Sequence, residues 1–277
     1  MPKTWFITGS SRGLGRALTT AVLDRGDQVV ATARTPDQLS DLVDRYGDLV
    51  RACRLDVTDA DAARDAVDVA LATFGRIDVV VNNAGYANSA PFEEVSAEDF
   101  RAQVEANFFG VVNVTRAVLP VMHRQRAGHV VQISSIGGRV GGSPGIAAYQ
   151  AAKFAVAGFS EALAAEVAPL GIKVTIVEPG AFRTDWAGSS MAIAQVGPDY
   201  EATVGAINQR RAGFDRVAPG DPARAAQAII EVVGVDDPPR RLPLGSDAVG
   251  FAIAKGQEQI AEAERWADLS RSTDFPA

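Results

Sequence analysis

The sequence predicts an α/β protein built on one doubly wound, parallel sheet of seven strands with helices on both faces. Short apolar runs rich in β-formers alternate with helical runs from residue 4 to residue 244, the order that arises when a crossover helix joins each strand to the next. The run at 78–81 is apolar almost throughout rather than alternating, as a strand covered on both faces must be. A glycine-rich turn, Thr8-Gly9-Ser10-Ser11-Arg12-Gly13-Leu14-Gly15, follows the first run and opens the first helix.

Residues 4–8 form the first strand, and Leu14, Ala17, Leu18, Ala21 and Val22 then recur at helical spacing. Glycines in the turn let the backbone pass close to a ligand, and the helix N-terminus offers free N–H groups to a phosphate. Taken alone, an ordinary strand-to-helix turn has the same composition. The second strand is 28–33, after which Arg34-Thr35-Pro36 opens a polar helix to about Tyr46. The third, 49–55, ends at Asp56-Val57-Thr58, and an alanine-rich helix over 59–74 stops at Gly75. The fourth runs into Asn82-Asn83-Ala84-Gly85, amides placed where such sheets bind ligands, although they would also satisfy turn backbone.

One long helix is expected from the N-cap Ser96 to about Arg126, carrying Asn107 among Phe100, Val104, Phe108, Val111 and Val112. Asparagine is a poor helix-interior residue, so Asn107 needs a hydrogen-bonding reason to be there. The fifth strand, 129–134, leads through Ser135 and a glycine-rich stretch into a helix holding Tyr149 that runs to about Pro169. The sixth, 172–178, closes at Pro179-Gly180. Residues 187–219 lack a strong period and read as a mobile lid over a pocket. Asp221 and Pro222 are good cap and first-turn residues for a helix to 233. A seventh strand at 240–244 and an amphipathic C-terminal helix over 246–270 complete a single domain spanning 1–277.

Apolar residues make up 47% and charged residues 22%, as in ordinary globular chains, and the net charge of -7 argues against nucleic-acid or anionic-membrane partners. Cys53 is the only cysteine and sits in a strand-like alternation, so it reads as core filler. No metal site is expected. Neither a leader nor an 18-residue apolar stretch is visible, which makes the cytoplasm the expected location.

Tyr149 and Lys153 lie four residues apart on one helical face. A cation beside a phenol stabilises phenolate, so the pair has the makings of a general acid/base. The plainer reading is a half-buried ring beside a solvated lysine. In dinucleotide folds an acid at the end of the second strand binds the adenosine ribose, whereas an arginine there accommodates a 2′-phosphate. Ala33 and Arg34 occupy that place, and Arg12 lies in the glycine turn. This favours NADP over NAD unless the arginines are merely solvated surface charge.

Together the motifs TGSSRGLG at 8–15, NNAG at 82–85, Asn107, ISS at 133–135, YQAAK at 149–153 and PGAFRT at 179–184 resemble the short-chain dehydrogenase/reductase family, in its single-domain branch. They cover residues 4 to about 185 in the family's order. The resemblance implies a Rossmann-type fold and a proton exchange between Tyr149 and the substrate's carbonyl or hydroxyl oxygen. It implies that Lys153 holds Tyr149 near phenolate and bonds the nicotinamide ribose, that Ser135 bonds the same substrate oxygen, and that Asn107 ties a water to the lysine. Gly9, Ser11, Arg12, Gly13, Leu14 and Gly15 would form the pyrophosphate turn. Asp56 and Val57 would lie against adenine, with Asn83, Ala84 and Gly85 on the adenosine side. Pro179, Gly180 and Thr184 would meet the nicotinamide.

The implied activity is NADP-dependent interconversion of a ketone or aldehyde and an alcohol, in a homodimer or homotetramer built through the helices of Asn107 and Tyr149. An idle NADP-sensing or scaffold protein on the same fold is the alternative. A sugar-nucleotide epimerase or dehydratase is disfavoured by chain length and by the glycine spacing. Thirteen residues separate Ser135 from Tyr149 where the family commonly has twelve, so Ser134 or Ser143 are alternative pocket serines. Phe92, Phe182 and Trp186 suggest a hydrophobic carbonyl substrate, and the pocket rim is expected at 86–92, at 142–146 and after Thr184.

Overall fold

The computed structural model describes residues 2–184, 186, 191–213 and 216–275. Strands β1 (Thr4–Ile7), β2 (Gln28–Ala33), β3 (Val50–Arg54), β4 (Val79–Asn82), β6 (Gly128–Ile133), β7 (Ile172–Pro179) and β9 (Arg241–Leu244) form one sheet in the order β3-β2-β1-β4-β6-β7-β9. Every pairing in it is parallel. Trp5 faces Val29 on one side and Val79 on the other, so strand order reverses between β1 and β4. Loops leaving the C-terminal ends of these two strands diverge and open a crevice.

Alternate residues of each strand serve opposite faces. Trp5, Ile7, Val29, Ala31, Val79 and Val81 pack with α1 (Gly13–Asp24) and α9 (Pro222–Val233). Phe6, Val30, Val80 and Val130 pack with α3 (Ala60–Phe74), α5 (Gly110–Gln125) and α7 (Ala147–Val167). Helix starts follow the capping residues: Asp59 accepts from the amides of Asp61 and Ala62, Ser96 from Asp99, and Asp221 from Ala223. Among the described residues, no helix is long and apolar enough to cross a membrane.

Three expectations are corrected. The segment after Arg34 is a 3-10 turn at Pro36–Leu39 followed by the short α2 (Ser40–Tyr46) rather than one helix. The long helix from Ser96 is broken: α4 (Ala97–Val104) passes into α5 through a π-helical turn at Glu105–Phe109. Within 187–219, the described residues have regular structure that the composition hid. β8 (Met191–Ile193) pairs in parallel with β5 (Ala87–Ser89), and a second π turn at Glu201–Gly205 leads into α8 (Ala206–Arg211). Residues 187–190, 214 and 215 of that stretch lie outside the described residues.

Candidate active site

A cavity of about 1110 Å³ opens at the C-terminal edge of the sheet, between the glycine turn and α7. At one end Gly9, Ser11, Arg12, Gly13 and Leu14 form its wall. Gly9 and Gly13 have φ of +69° and +57°, a conformation natural to glycine. Gly15 does not reach the cavity. It is buried beneath the turn, where a Cβ would strike the carbonyl of Gly9 and the amide of Asn83. Asn83 braces this turn by donating from Nδ2 to the carbonyl oxygens of Thr8 and Gly9, at 2.9 and 3.2 Å. Asn82 bonds instead to Thr115 and Gln132 inside the fold.

Asp56, Val57, Ala84 and Gly85 extend the wall toward Arg34. The Asp56 carboxylate accepts from the Thr58 amide at 3.0 Å and its hydroxyl at 2.8 Å. Arg12 and Arg34 are exposed on the rim, and among the described residues neither enters an ion pair. Pro179, Gly180 and Thr184 line the opposite wall.

Tyr149 and Lys153 sit in the first two turns of α7, and both are buried. The ammonium lies 5.7 Å from the phenol ring centroid and donates to the Ile133 carbonyl at 2.8 Å. Burial pushes the Tyr149 hydroxyl up to about 12, and the nearby Ser135 and Trp186 side chains oppose that rise only in part. Burial lowers Lys153 to about 8. The expected lowering of the tyrosine by its lysine is absent in this state: burial sets the direction for both groups and disfavours the charged form of each.

Ser135 lines the cavity together with Tyr149, and its Oγ accepts from the Gly137 amide at 3.0 Å. Ser134 donates to the Lys153 carbonyl at 3.0 Å, and Ser143 accepts from Arg211 at 2.7 Å. The loop before Tyr149 turns through Gly141 and Gly142, with φ of +65° and +75°, and such a glycine pair takes up an extra residue by bulging.

Asn107 occupies the π turn. Its Nδ2 donates to the carbonyls of Tyr86 and Gln103 at 2.7 and 2.8 Å, while its Oδ1 is buried without a partner. A Cβ on Gly85 would strike that oxygen and lie 3.6 Å from Lys153 Nζ, so amide and ammonium share the space beside Gly85. A π turn is the usual device for turning such a side chain inward at a functional site.

Sequence reasoning missed two contributors. Asp247 accepts from the amide of Ala181 at 2.8 Å across a separation of 66 residues, and its Oδ1 is buried, unpartnered and at the cavity wall. Arg211 reaches from α8 to Ser89 and Ser143, tying this segment to the rim. Nothing in local spacing signals either. Phe182 and Trp186 line the cavity as expected, but Phe92 does not: it is 72% exposed and packs on Phe100. Among the described residues, no cluster of His, Cys, Asp or Glu could hold a metal ion.

A crevice at the switch point of a parallel sheet, with a buried Tyr–Lys pair inside it, defines an oxidoreductase of the dinucleotide-binding α/β class. The chain belongs to the short-chain dehydrogenase family, whose model matches residues 3–193, a family of NAD(P)-dependent enzymes acting on CH–OH groups. It is 51% identical to oxidoreductase BOA17 of Botryotinia fuckeliana (strain B05.10), over 98% of each chain. A solved short-chain dehydrogenase from Streptomyces avermitilis superposes with a TM-score of 0.92 at 43% identity, covering 99% of both chains. An alcohol dehydrogenase from Thermococcus sibiricus, solved with 5-hydroxy-NADP, matches with a TM-score of 0.72 at 26% identity, over 88% of this chain and 96% of that one.

Proposed function

We propose that the protein is an NADP-dependent oxidoreductase interconverting a ketone or aldehyde and an alcohol, with Tyr149 as general acid/base. The observation that carries this reading is the convergence of Ser135, Tyr149, Lys153 and the unpartnered Asn107 Oδ1 in the cavity that also holds the glycine turn. The residues fit a dinucleotide. Gly15 lets α1 press against the Gly9 carbonyl, bringing free helix-start amides under the turn. When bound, the nicotinamide supplies or accepts the hydride.

The chain's own part is positional and protonic. Tyr149 Oη gives a proton to the substrate oxygen in reduction and takes it back in oxidation. Ser135 Oγ donates to the same oxygen and stabilises charge developing there. Lys153 would hold the ribose of the cofactor and, with it bound, favour phenolate, and the unpartnered Asn107 amide oxygen would bind a water linking the lysine to solvent. Asp56 and Val57 would flank the adenine, and Thr184 and Pro179-Gly180 the nicotinamide. Arg12 and Arg34, with Ala33 in place of an acid, support NADP, as does the Thermococcus enzyme's complex. Phe182, Trp186 and Ile146 on the cavity wall support an apolar carbonyl substrate.

The described residues 191–213 and 216–219, which include Arg211 at the cavity wall, would act as the lid of this single domain. Homo-oligomerisation through α4, α5 and α7 is supported by Phe109 and Phe154, each 45% exposed on that side. The idle NADP-sensing alternative has no use for a complete proton relay. A panel of ketones and aldehydes with NADPH, followed at the cofactor's absorbance, tests the reading. Turnover of at least one member with stereospecific hydride transfer supports it, while tight NADPH binding without turnover of any would favour the sensor.

A further inference from the structure

The C-terminal helix α10 (Ser246–Arg265) leaves the body of the molecule as it runs. Ala248 is buried, Ala252, Lys255 and Gly256 are partly covered, and every residue from 257 to 266 is exposed. Its outer turns carry Ile260 at 62% exposure and Trp266 at 48%, large apolar side chains that the described residues leave open to solvent.

Its exposed side is patterned. Val249, Ile253, Gly256, Ile260, Ala263 and Ala267 follow one another at steps of 4, 3, 4, 3 and 4, the spacing of a helix-pairing seam. Ala267 opens α11 (Ala267–Arg271), just past the end of α10. Val249, Ile253 and Ile260 are 45%, 58% and 62% exposed, and a Cβ on Gly256 would meet nothing within 4 Å. Lys255, Glu258, Glu262 and Arg265 all fall away from the seam, and Lys255 pairs with Glu258 inside the chain.

We propose that this seam docks a second copy of the chain, α10 against α10, antiparallel about a two-fold axis. In that alignment each large residue meets a small one: Ile253 faces the partner's Ala263, Ile260 faces the partner's Gly256 and Val249 faces the partner's Ala267. A parallel pair would instead stack isoleucine on isoleucine and glycine on glycine, leaving gaps beside the bulky layers. The flanks are self-complementary too. Gln257 meets the partner's Gln257, and Gln259 the partner's Gln259, amides that both donate and accept. Glu264 faces the partner's Gly250, so no like charges oppose one another across the axis. One patch serving both subunits is what a two-fold interface requires. Three glutamates on or beside the exposed turns oppose an anionic lipid surface as the occupant.

This contact lies apart from α4, α5 and α7 and is independent of the hydride-transfer reading, so it adds one level of association to any assembly made there. The test is sedimentation velocity of the full chain. Ile253→Glu with Ile260→Glu is expected to halve the assembly's mass while leaving its circular dichroism and NADPH binding unchanged. An unchanged mass, or a wild type that is monomeric at micromolar concentration, overturns the proposal and assigns the seam to another occupant. Register is tested separately on a Cys53→Ser background with a short bismaleimide. Gln257→Cys is expected to cross-link to its own copy, whereas Glu258→Cys on the outer face is not. Equal cross-linking of both, or of neither, overturns the antiparallel arrangement.

Discussion

Burial drives Tyr149 and Lys153 toward their neutral forms, the phenol up to about 12 and the ammonium down to about 8. If Tyr149 carries the substrate proton, Tyr149→Phe lowers kcat by roughly a thousandfold or more while NADPH titrates nearly as in wild type. Lys153→Ala damages both. A Tyr149→Phe enzyme with most of its activity would end the mechanism. Lys153 also bears on stability. Its folded pKa lies below the unfolded value of 10.5, so the cost of burying the cation is full below about pH 8 and is relieved as pH rises from 8 toward 10.5. Lys153→Met therefore stabilises the protein at pH 7 by roughly 1–3 kcal/mol, and the gain shrinks at pH 9.5. Urea titrations at the two pH values check both sign and trend. Arg34 sets the third expectation at this scale. Charge-assisted bonds from two partly exposed arginines give NADP(H) on the order of a hundredfold preference in kcat/KM. Ala33→Asp with Arg34→Ala reverses it, because the new acid accepts from ribose hydroxyls and repels phosphate. Equal values for both cofactors in wild type would mean the arginines are only surface charge.

Secondary structure elements account for how those side chains are aimed. The π turn at Glu105–Phe109 turns Asn107 from an awkward helix-interior residue into an inward-facing amide with one free oxygen. Along the stretch over the cavity, β8 is anchored by its pairing with β5, and Arg211 at the end of α8 is held through hydrogen bonds to Ser89 and Ser143. A lid hinged on that pairing predicts graded hydrogen exchange. Amides at 201–213 exchange quickly without ligand and slow on adding NADP with a substrate analogue, while those of β8 are already protected. Unchanged protection throughout 191–213 would count against closure.

Across the whole molecule, one buried carboxylate on β7 ties together three further elements, α6 (Gly137–Val140), β9 and, through Arg241, α7. Glu178 accepts from Arg139 of α6 at 2.8 Å and from Arg241 of β9 at 2.9 Å, and Arg241 reaches Glu161 of α7 at 2.7 Å. Its side chain is fully buried, while the arginines are 34% and 27% exposed. Glu178→Gln leaves two guanidinium groups facing a neutral amide. Because water partly screens both, the expected cost is roughly 2–3 kcal/mol rather than the larger figure for a fully buried pair. A urea midpoint within error of wild type would refute it. Since β9 leads directly into Asp247 at the cavity wall, weaker NADPH binding should accompany the loss.

The alternation of strand and helix, the glycine turn, the caps at Ser96 and Asp221, and the Tyr149–Lys153 spacing were all legible in the sequence. Each depends on residues within a turn or two of one another, where periodicity and capping chemistry report burial directly. Tertiary structure alone decided the rest. The π turn, the β5–β8 pairing, the inward carboxylates of Glu178 and Asp247, the clasp of Asn83 over Gly15 and the exclusion of Phe92 from the cavity join positions far apart in the chain. Local pattern says that a side chain is buried or capped, but not which distant backbone or charge meets it. That is settled only when packing the two faces of the sheet brings β9, α8 and α10 to the same edge as the glycine turn.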